Sequence, residues 1–88
     1  MAKIKVFKHV SNVIRDIDGH MIRKEYYYTV AVRKFFMWFH LKFYGLHDDE
    51  VLFEMNLSKR YATHFTAEGN ALYRANDIIQ NPQKYYTY

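Results

Sequence analysis

An aromatic stretch from Glu25 to Gly45 constrains the fold more than any other feature of the sequence. It reads EYYYTVAVRKFFMWFHLKFYG and holds nine of the seventeen aromatic rings in the chain. A single strand of this length would be longer than almost any strand of a globular protein, where strands mostly run for about 3–10 residues. The chain must therefore turn within the stretch, and we predict the turn near residues 34–37.

Residues 38–44 fit two structural templates. On the strand template, side chains alternate between two sets: Phe39, Leu41 and Phe43 against Trp38, His40, Lys42 and Tyr44. On the helical template, one apolar face would hold Val32, Phe35, Phe36, Phe39 and Phe43, with Gly45 as the C-cap. We favour the strand because the alternation is the cleaner pattern and aromatic residues are enriched in strands.

Two hairpin strands precede this region. Lys3–His9 alternates as a strand, and Val10 continues it with a bend or bulge near Ser11-Asn12. Asp18-Gly19 predicts a type I′ hairpin turn, because both residue types tolerate a left-handed backbone. A second strand is then expected to run from Met21 into Lys34, and residues 51–57 alternate as a further strand.

Residues 66–80 carry the clearest helical pattern. Thr66 is the expected N-cap, and Asn81-Pro82 should end the helix because the residue before proline avoids the helical region. The spacing of 3.6 residues per turn predicts one apolar face made of Ala71, Leu72, Ala75, Ile78 and Ile79.

Strands followed by one helix predict a single α+β domain over residues 1–88. It comprises an antiparallel sheet of four or five strands within about 3–57, a C-terminal helix over about 67–80 packed on one face, and a tail at 81–88. The face covered by the helix is expected to hold Ile4, Val6, Tyr26, Tyr28, Val30, Val32, Phe39, Leu41, Phe43, Val51, Phe53, Met55 and Leu57. The open face is expected to show Lys3, Lys5, Phe7, Tyr27, Thr29, Ala31, Arg33, Trp38, His40, Lys42, Tyr44 and Leu52.

The tyrosine-rich tail NPQKYYTY has two interpretations. Its rings dock over the sheet edge or the helix end, or it adds as a strand to another chain's sheet. The pattern of residues does not separate the two.

Charge and composition narrow the location and the class of function. The formal charge of +4 divides into +6 over residues 1–44 and −2 over residues 45–88, which is typical of a face that meets nucleic acid or an acidic partner, or of an ordinary solvated surface. The absence of cysteine excludes a disulfide framework and a thiolate metal site, and it fits a cytoplasmic, reducing location. Arg33, Lys34 and Lys42 argue against a membrane span, because each would cost about 2.5–3.5 kcal/mol at mid-bilayer.

Six open-face residues form the predicted binding face: Tyr27, Arg33, Trp38, His40, Lys42 and Tyr44. Their mixture of rings and cations is typical of protein-interface hot spots, of surfaces that stack single-stranded nucleic acid, and of plain packing on a solvated sheet. Glu50 and Glu54 are expected on the same face, where they would repel phosphate, and this favours the protein interface.

No catalytic, cofactor or metal motif stands out. His47–Glu50 (HDDE) is the one cluster of imidazole and carboxylates, and it is interpreted as a solvated turn. We therefore predict a non-enzymatic chain with no cofactor and no metal. The function expected is that of a small intracellular protein-interaction module, acting as a regulator, inhibitor or accessory subunit. Nucleic-acid binding is the alternative, self-association is a further expectation, and a phage or mobile-element origin is suggested by analogy alone.

Overall fold

One sheet and one helix make up the fold. The computed structural model describes residues 3–45 and 49–87, and its elements are β1 (Ile4–Arg15), β2 (Met21–Lys34), β3 (Met37–Tyr44), β4 (Val51–Asn56), α1 (Glu68–Gln80) and β5 (Tyr85–Thr87), with short 3₁₀ turns at Lys59–Tyr61 and Pro82–Lys84. The strands lie in the order β1-β2-β3-β4-β5. The α+β prediction is confirmed, as is the choice of strand over helix for residues 38–44.

The tail forms the fifth strand of the sheet. Its residues Tyr85–Thr87 pair with Val51–Phe53 in the parallel direction, whereas the other three strand pairs are antiparallel. The expectation of a wholly antiparallel sheet is therefore wrong at this edge. The reason is that α1 carries the chain back to the end of the sheet at which β4 begins, and a strand–helix–strand crossover gives parallel pairing.

Tyr85 fastens this edge strand to the helix. The Tyr85 hydroxyl donates to the Asp77 carboxylate and accepts from Arg74 Nη1 at 2.9 Å. Burial, followed by the bond to Asp77, raises the pKa of Tyr85 to about 12. The hydrogen bond from Tyr85 holds the pKa of Asp77 below its ordinary value. Of the two interpretations of the tail, docking at the sheet edge is therefore the one observed for Tyr85–Thr87.

The type I′ turn occurs at Phe35-Phe36 and not, as predicted, at Asp18-Gly19. At Asp18-Gly19 only the glycine has a positive φ, of 83°, because the carboxylate of Asp16 accepts the amides of Asp18 and His20 and holds a wider loop. The predicted type I′ turn there is wrong. It lies instead at Phe35-Phe36, where φ is 54° and 65°, within the predicted range 34–37.

The apolar core lies between α1 and the covered face of the sheet. Its buried members are Val30, Val32, Leu41, Phe43, Val51, Ala71, Ala75 and Tyr85. They are flanked by Ile4, Val6, Tyr28, Phe39, Phe53, Met55, Phe65 and Ile78. The predicted division of the strands into two faces is confirmed for most positions, because alternation fixes which side chains point together.

Several positions differ from that division. Tyr26 and Leu57 were expected on the covered face but are 38% and 62% exposed, because the helix covers neither strand end. On the helix, Leu72 and Ile79 are about half exposed, so the packed stripe is the narrower one of Ala71, Ala75 and Ile78. The N-cap is Ala67 without a side-chain bond. Thr66 therefore does not cap the helix as expected.

Residues 63–65 pass through a gap between β2 and β3. These strands pair only from Ala31 to Lys34 and from Met37 to His40, and then separate. Thr63 fills the gap on the β3 side, where its amide donates to Leu41 O at 3.1 Å and its Oγ1 accepts from Phe43 N at 2.9 Å. On the β2 side, Phe65 and Tyr28 form two backbone hydrogen bonds: Tyr28 N donates to Phe65 O at 2.7 Å, and Phe65 N donates to Tyr28 O at 2.9 Å. The chain thereby crosses from the open face to the covered face, where α1 begins.

Replacing the Phe35-Phe36 turn by Asn-Gly is expected to stabilise the monomer. A left-handed backbone costs a residue such as phenylalanine about 1–2 kcal/mol, and both rings are more than 80% exposed, so little packing is lost. For a chain of this size each kcal/mol corresponds to about 4–8 °C in Tm. Thermal unfolding at a concentration where the protein is monomeric measures the effect.

Ile17→Asn is the matched control for this substitution. Ile17 is fully exposed in the other hairpin turn and does not have a positive φ. The Tm of this variant should therefore equal that of the wild-type chain. A lower Tm for Phe35→Asn/Phe36→Gly than for the wild-type chain would contradict the assignment of strain to this turn.

Candidate functional site

All six residues of the predicted binding face lie on one face of the sheet. The register pairs Arg33 with Trp38 and His9 with Tyr27, which places the odd residues of β2, and those of β1 before its register shift at Val10/Asn12, with the even residues of β3 and β4. We call this side the open face, since α1 packs on the other. The six residues nevertheless separate into three groups: Tyr27, Trp38 and His40; Lys42 and Tyr44; and Arg33, which is paired with Trp38 but has its guanidinium near the Phe36 ring.

Tyr27, Trp38 and His40 belong to a ring cluster in the middle of the open face. Its members are Phe7, His9, Tyr27, Trp38, His40 and His64. The Tyr27 ring stacks on His64 with centroids 4.0 Å apart and also meets His9 at 4.8 Å. Phe7 meets Trp38 and His40 edge-on, each at 5.3 Å. These rings therefore pack mainly on one another.

A hydroxyl lies beneath the ring cluster. Thr29 is 0% exposed, and its Oγ1 lies 2.9 Å from His9 Nε2 and 2.8 Å from His40 Nδ1. A hydroxyl has one proton, so it donates to one imidazole and accepts an N–H from the other. The same bonds fix the tautomers of the two rings and satisfy a buried polar group. Thr29 and its neighbour Ala31, both expected to be open to solvent, are covered.

The two imidazoles are held in their neutral form. Burial lowers the pKa of His9 below its ordinary value of 6.5, and Lys59, His40 and His64 lower it further. Burial and then Lys59 likewise lower the pKa of His40. Protonation of both rings would place two like charges in edge-on rings whose centroids are 5.7 Å apart. The ring cluster is therefore sensitive to acid.

A threonine hydroxyl bonded to imidazole has the composition of a nucleophile and its base. The geometry argues against that role, because Thr29 Oγ1 is enclosed and a nucleophile must reach its substrate. The arrangement fits a polar bond that positions the two histidine rings over the sheet.

A second group lies toward the β5 edge of the open face. The register aligns Tyr44 on β3, Leu52 on β4 and Tyr86 on β5 side by side. These three side chains, here called the exposed row, are 37%, 43% and 47% exposed. Lys42 stands next to the exposed row, with its Nζ 5.4 Å from the centroid of the Tyr44 ring.

Cations surround both groups. Lys5 Nζ, on β1, lies 5.1 Å from the Phe7 ring. Arg33 lies at the C-terminal end of β2, with its guanidinium 6.0 Å from the Phe36 ring. Of the two acids expected on this face, Glu54 is half-buried opposite Lys42 in the register, and Glu50 is exposed just before β4. The open face is therefore apolar and aromatic with a mainly positive rim.

Five residues of these groups lie outside the predicted site. The alternation placed Phe7 and Leu52 on the open face, but the predicted site did not include them. His9 shares the alternation of Lys5 and Phe7, so its place on the open face could have been found. His64 and Tyr86 lie outside the predicted strands, and only the crossing of residues 63–65 and the pairing of β5 bring them here.

Ligand geometry for a metal occurs once within residues 3–45 and 49–87. One ligand atom from each of Asp16, Asp18 and His20 lies within 4.8 Å of the others, in the exposed β1–β2 loop. The Asp16 carboxylate already accepts the backbone amides of Asp18 and His20 within the loop. The HDDE cluster lies partly outside the described residues, at His47 and Asp48.

No protein-family model, curated protein or solved structure matches the chain. In the part of the chain that the structure describes, no helix is long and apolar enough to cross a membrane.

Acid is expected to destabilise the fold through the ring cluster. Because the folded-state pKa values of His9 and His40 are lowered, the unfolded chain binds more protons below pH 6.5. The stabilisation that the two neutral imidazoles contribute is fully present above the pKa of histidine in the unfolded chain. It is lost as pH falls from that value through the lowered pKa values of the folded state. Urea unfolding from about pH 7.5 to about pH 5, where most carboxylates stay ionised, measures it.

The variant His9→Gln/His40→Asn should flatten this pH dependence, since amides keep the hydrogen bonds to Thr29 without titrating. His20→Gln, at an exposed imidazole in the β1–β2 loop, is the control and should retain the wild-type slope. An unchanged slope in the double variant would refute the assignment.

Proposed function

We propose that this protein is a small, non-catalytic protein-interaction module that binds a larger macromolecule as a regulator, inhibitor or accessory subunit. The observation that carries the proposal is the exposed row. Tyr44, Leu52 and Tyr86 stand side by side on three adjacent strands, on the face that has no helix. Two tyrosines beside an aliphatic side chain form the kind of contact that dominates interface energetics.

Charge indicates the chemistry of the partner. Lys5, Arg33 and Lys42 are exposed on the open face, and the acid opposite Lys42 is half-buried. Glu25, which the alternation of β2 places on the same face, is exposed toward the β1–β2 loop. A partner that presents acidic side chains around an apolar contact would complement this arrangement. The proposal includes an intracellular location, which the absence of cysteine supports.

Nucleic-acid binding is the weaker alternative on the same face. Base stacking needs ring faces open to the ligand, and the rings of the ring cluster stack on or meet one another. Glu54 beside Lys42 also opposes a phosphate backbone. The exposed row retains the rings of Tyr44 and Tyr86, on which bases could stack, so an experiment must decide between nucleic-acid and protein binding.

Substitutions in the exposed row should weaken partner binding without unfolding the protein. Tyr86→Ala is expected to cost about 2 kcal/mol, roughly thirtyfold in Kd, and Leu52→Lys to abolish capture by placing a charge in the apolar contact. Affinity capture from the native host lysate with nuclease, followed by titration of the captured protein, measures both.

Tyr73→Ala is the matched control, because Tyr73 is a tyrosine 66% exposed on α1, away from the open face. A partner retained equally by Leu52→Lys and by Tyr73→Ala would refute the exposed row as the contact. Fluorescence anisotropy with a single-stranded oligonucleotide tests the alternative. Binding that falls steeply with salt and weakens in Lys42→Ala would replace the protein-interaction proposal by nucleic-acid binding.

A further inference from the structure

The β2–β3 turn displays two aromatic rings that the monomer does not use. Phe35 and Phe36 are 82% and 90% exposed, and both occupy a backbone conformation that phenylalanine disfavours. The Arg33 guanidinium lies 6.0 Å from the Phe36 ring. A strained backbone that carries exposed apolar rings is typical of a binding site.

An apolar pocket of about 250 Å³ opens beside this turn on the covered face. Helix α1 contributes Ile78 and Ile79 to its wall, and the sheet contributes Ile4, Val32 and Phe53. Lys34 supplies its one charged side chain. An enclosed space of about 150 Å³ holds a benzene molecule, so this pocket can accept a phenyl ring with room to spare.

The two features adjoin one another. Lys34 lines the pocket and immediately precedes Phe35 in the chain. The rings do not occupy the pocket of their own chain, since both remain more than 80% exposed. A projecting apolar group and a matching cavity within one patch make that patch self-complementary under a two-fold rotation.

We propose that two copies of this chain associate through this patch, with the Phe35-Phe36 turn of each copy seated in the apolar pocket of the other. The contact is isologous and closes as a dimer. It lies on the covered face and at the turn end of β2, apart from the exposed row. The dimer and the proposed function therefore stand or fall separately.

Charge predicts an unusual response of the dimer to salt. A two-fold axis beside Lys34 brings together the exposed cations Arg33 and Lys34 of both copies. Like charges repel, so the dimer should be weak at low ionic strength and should tighten as salt screens the repulsion. An acidic protein or an anionic membrane seated on the same turn would show the opposite trend.

Sedimentation velocity of the full chain, from micromolar to millimolar concentration and at low and high sodium chloride, tests the proposal. The wild-type chain should form a dimer whose Kd falls with salt. Phe35→Asn/Phe36→Gly and Ile79→Lys should each raise Kd by about tenfold or more, and circular dichroism should show both folded. Ile17→Asn, at an exposed aliphatic residue in the opposite turn, is the control and should dimerise like the wild type.

Mixing the two variants gives a sharper readout. The chain with Phe35→Asn/Phe36→Gly keeps an intact pocket, and the chain with Ile79→Lys keeps an intact turn. The mixture should form a heterodimer with one of the two contacts, detectable by native mass spectrometry, where neither variant forms a homodimer.

Three outcomes would overturn the inference. They are a monomeric wild-type chain over the whole range, a dimer that both variants leave unchanged, and a dimer that salt weakens. Co-sedimentation of a monomeric wild-type chain with phosphatidylserine vesicles, lost in Phe35→Asn/Phe36→Gly, would assign the turn to a membrane surface instead.

Discussion

The passage of residues 63–65 between β2 and β3 is the constraint on which the rest of the structure depends. Backbone groups in the interior of a sheet need partners, and the splayed strands would leave those of Tyr28, Leu41 and Phe43 without their usual neighbours. Thr63 and Phe65 supply them through four hydrogen bonds of 2.7–3.1 Å. The crossing segment therefore takes the place of strand pairing in the centre of the sheet.

Both faces of the sheet follow from this crossing. On one side it delivers the chain to α1, whose small residues Ala71 and Ala75 pack on the strands and form the core with them. On the other side it leaves His64 against Tyr27 and Lys59 near the imidazoles of the ring cluster. The open face is thus partly covered by rings at its middle and exposed toward β5, where the proposed interface lies.

Alternation made much of this predictable. Trp38, His40, Lys42 and Tyr44 point away from the core as the period of two requires, and this strand is the one on which the site prediction rested. Alternation does not report what covers a face, however. Thr29 and Ala31 were expected to be exposed, and both are buried. Thr29 bonds to the rings of His9 and His40 on the neighbouring strands, and Ala31 is paired with residues of β1 and β3 on its two sides.

Local sequence preference was least informative where tertiary contacts compete with it. Asp18-Gly19 is the favoured pair for a tight turn, yet hydrogen bonds from the Asp16 side chain hold a wider loop there. Phe35-Phe36 is an unfavourable pair, yet the pairing of Lys34 with Met37 imposes the left-handed backbone on it. The sequence by itself determined the strands, the helix and the two faces, because these depend on periodicity along the chain. The tertiary structure decided the crossing, the parallel fifth strand and the grouping of site residues, because each depends on contacts between residues far apart in sequence.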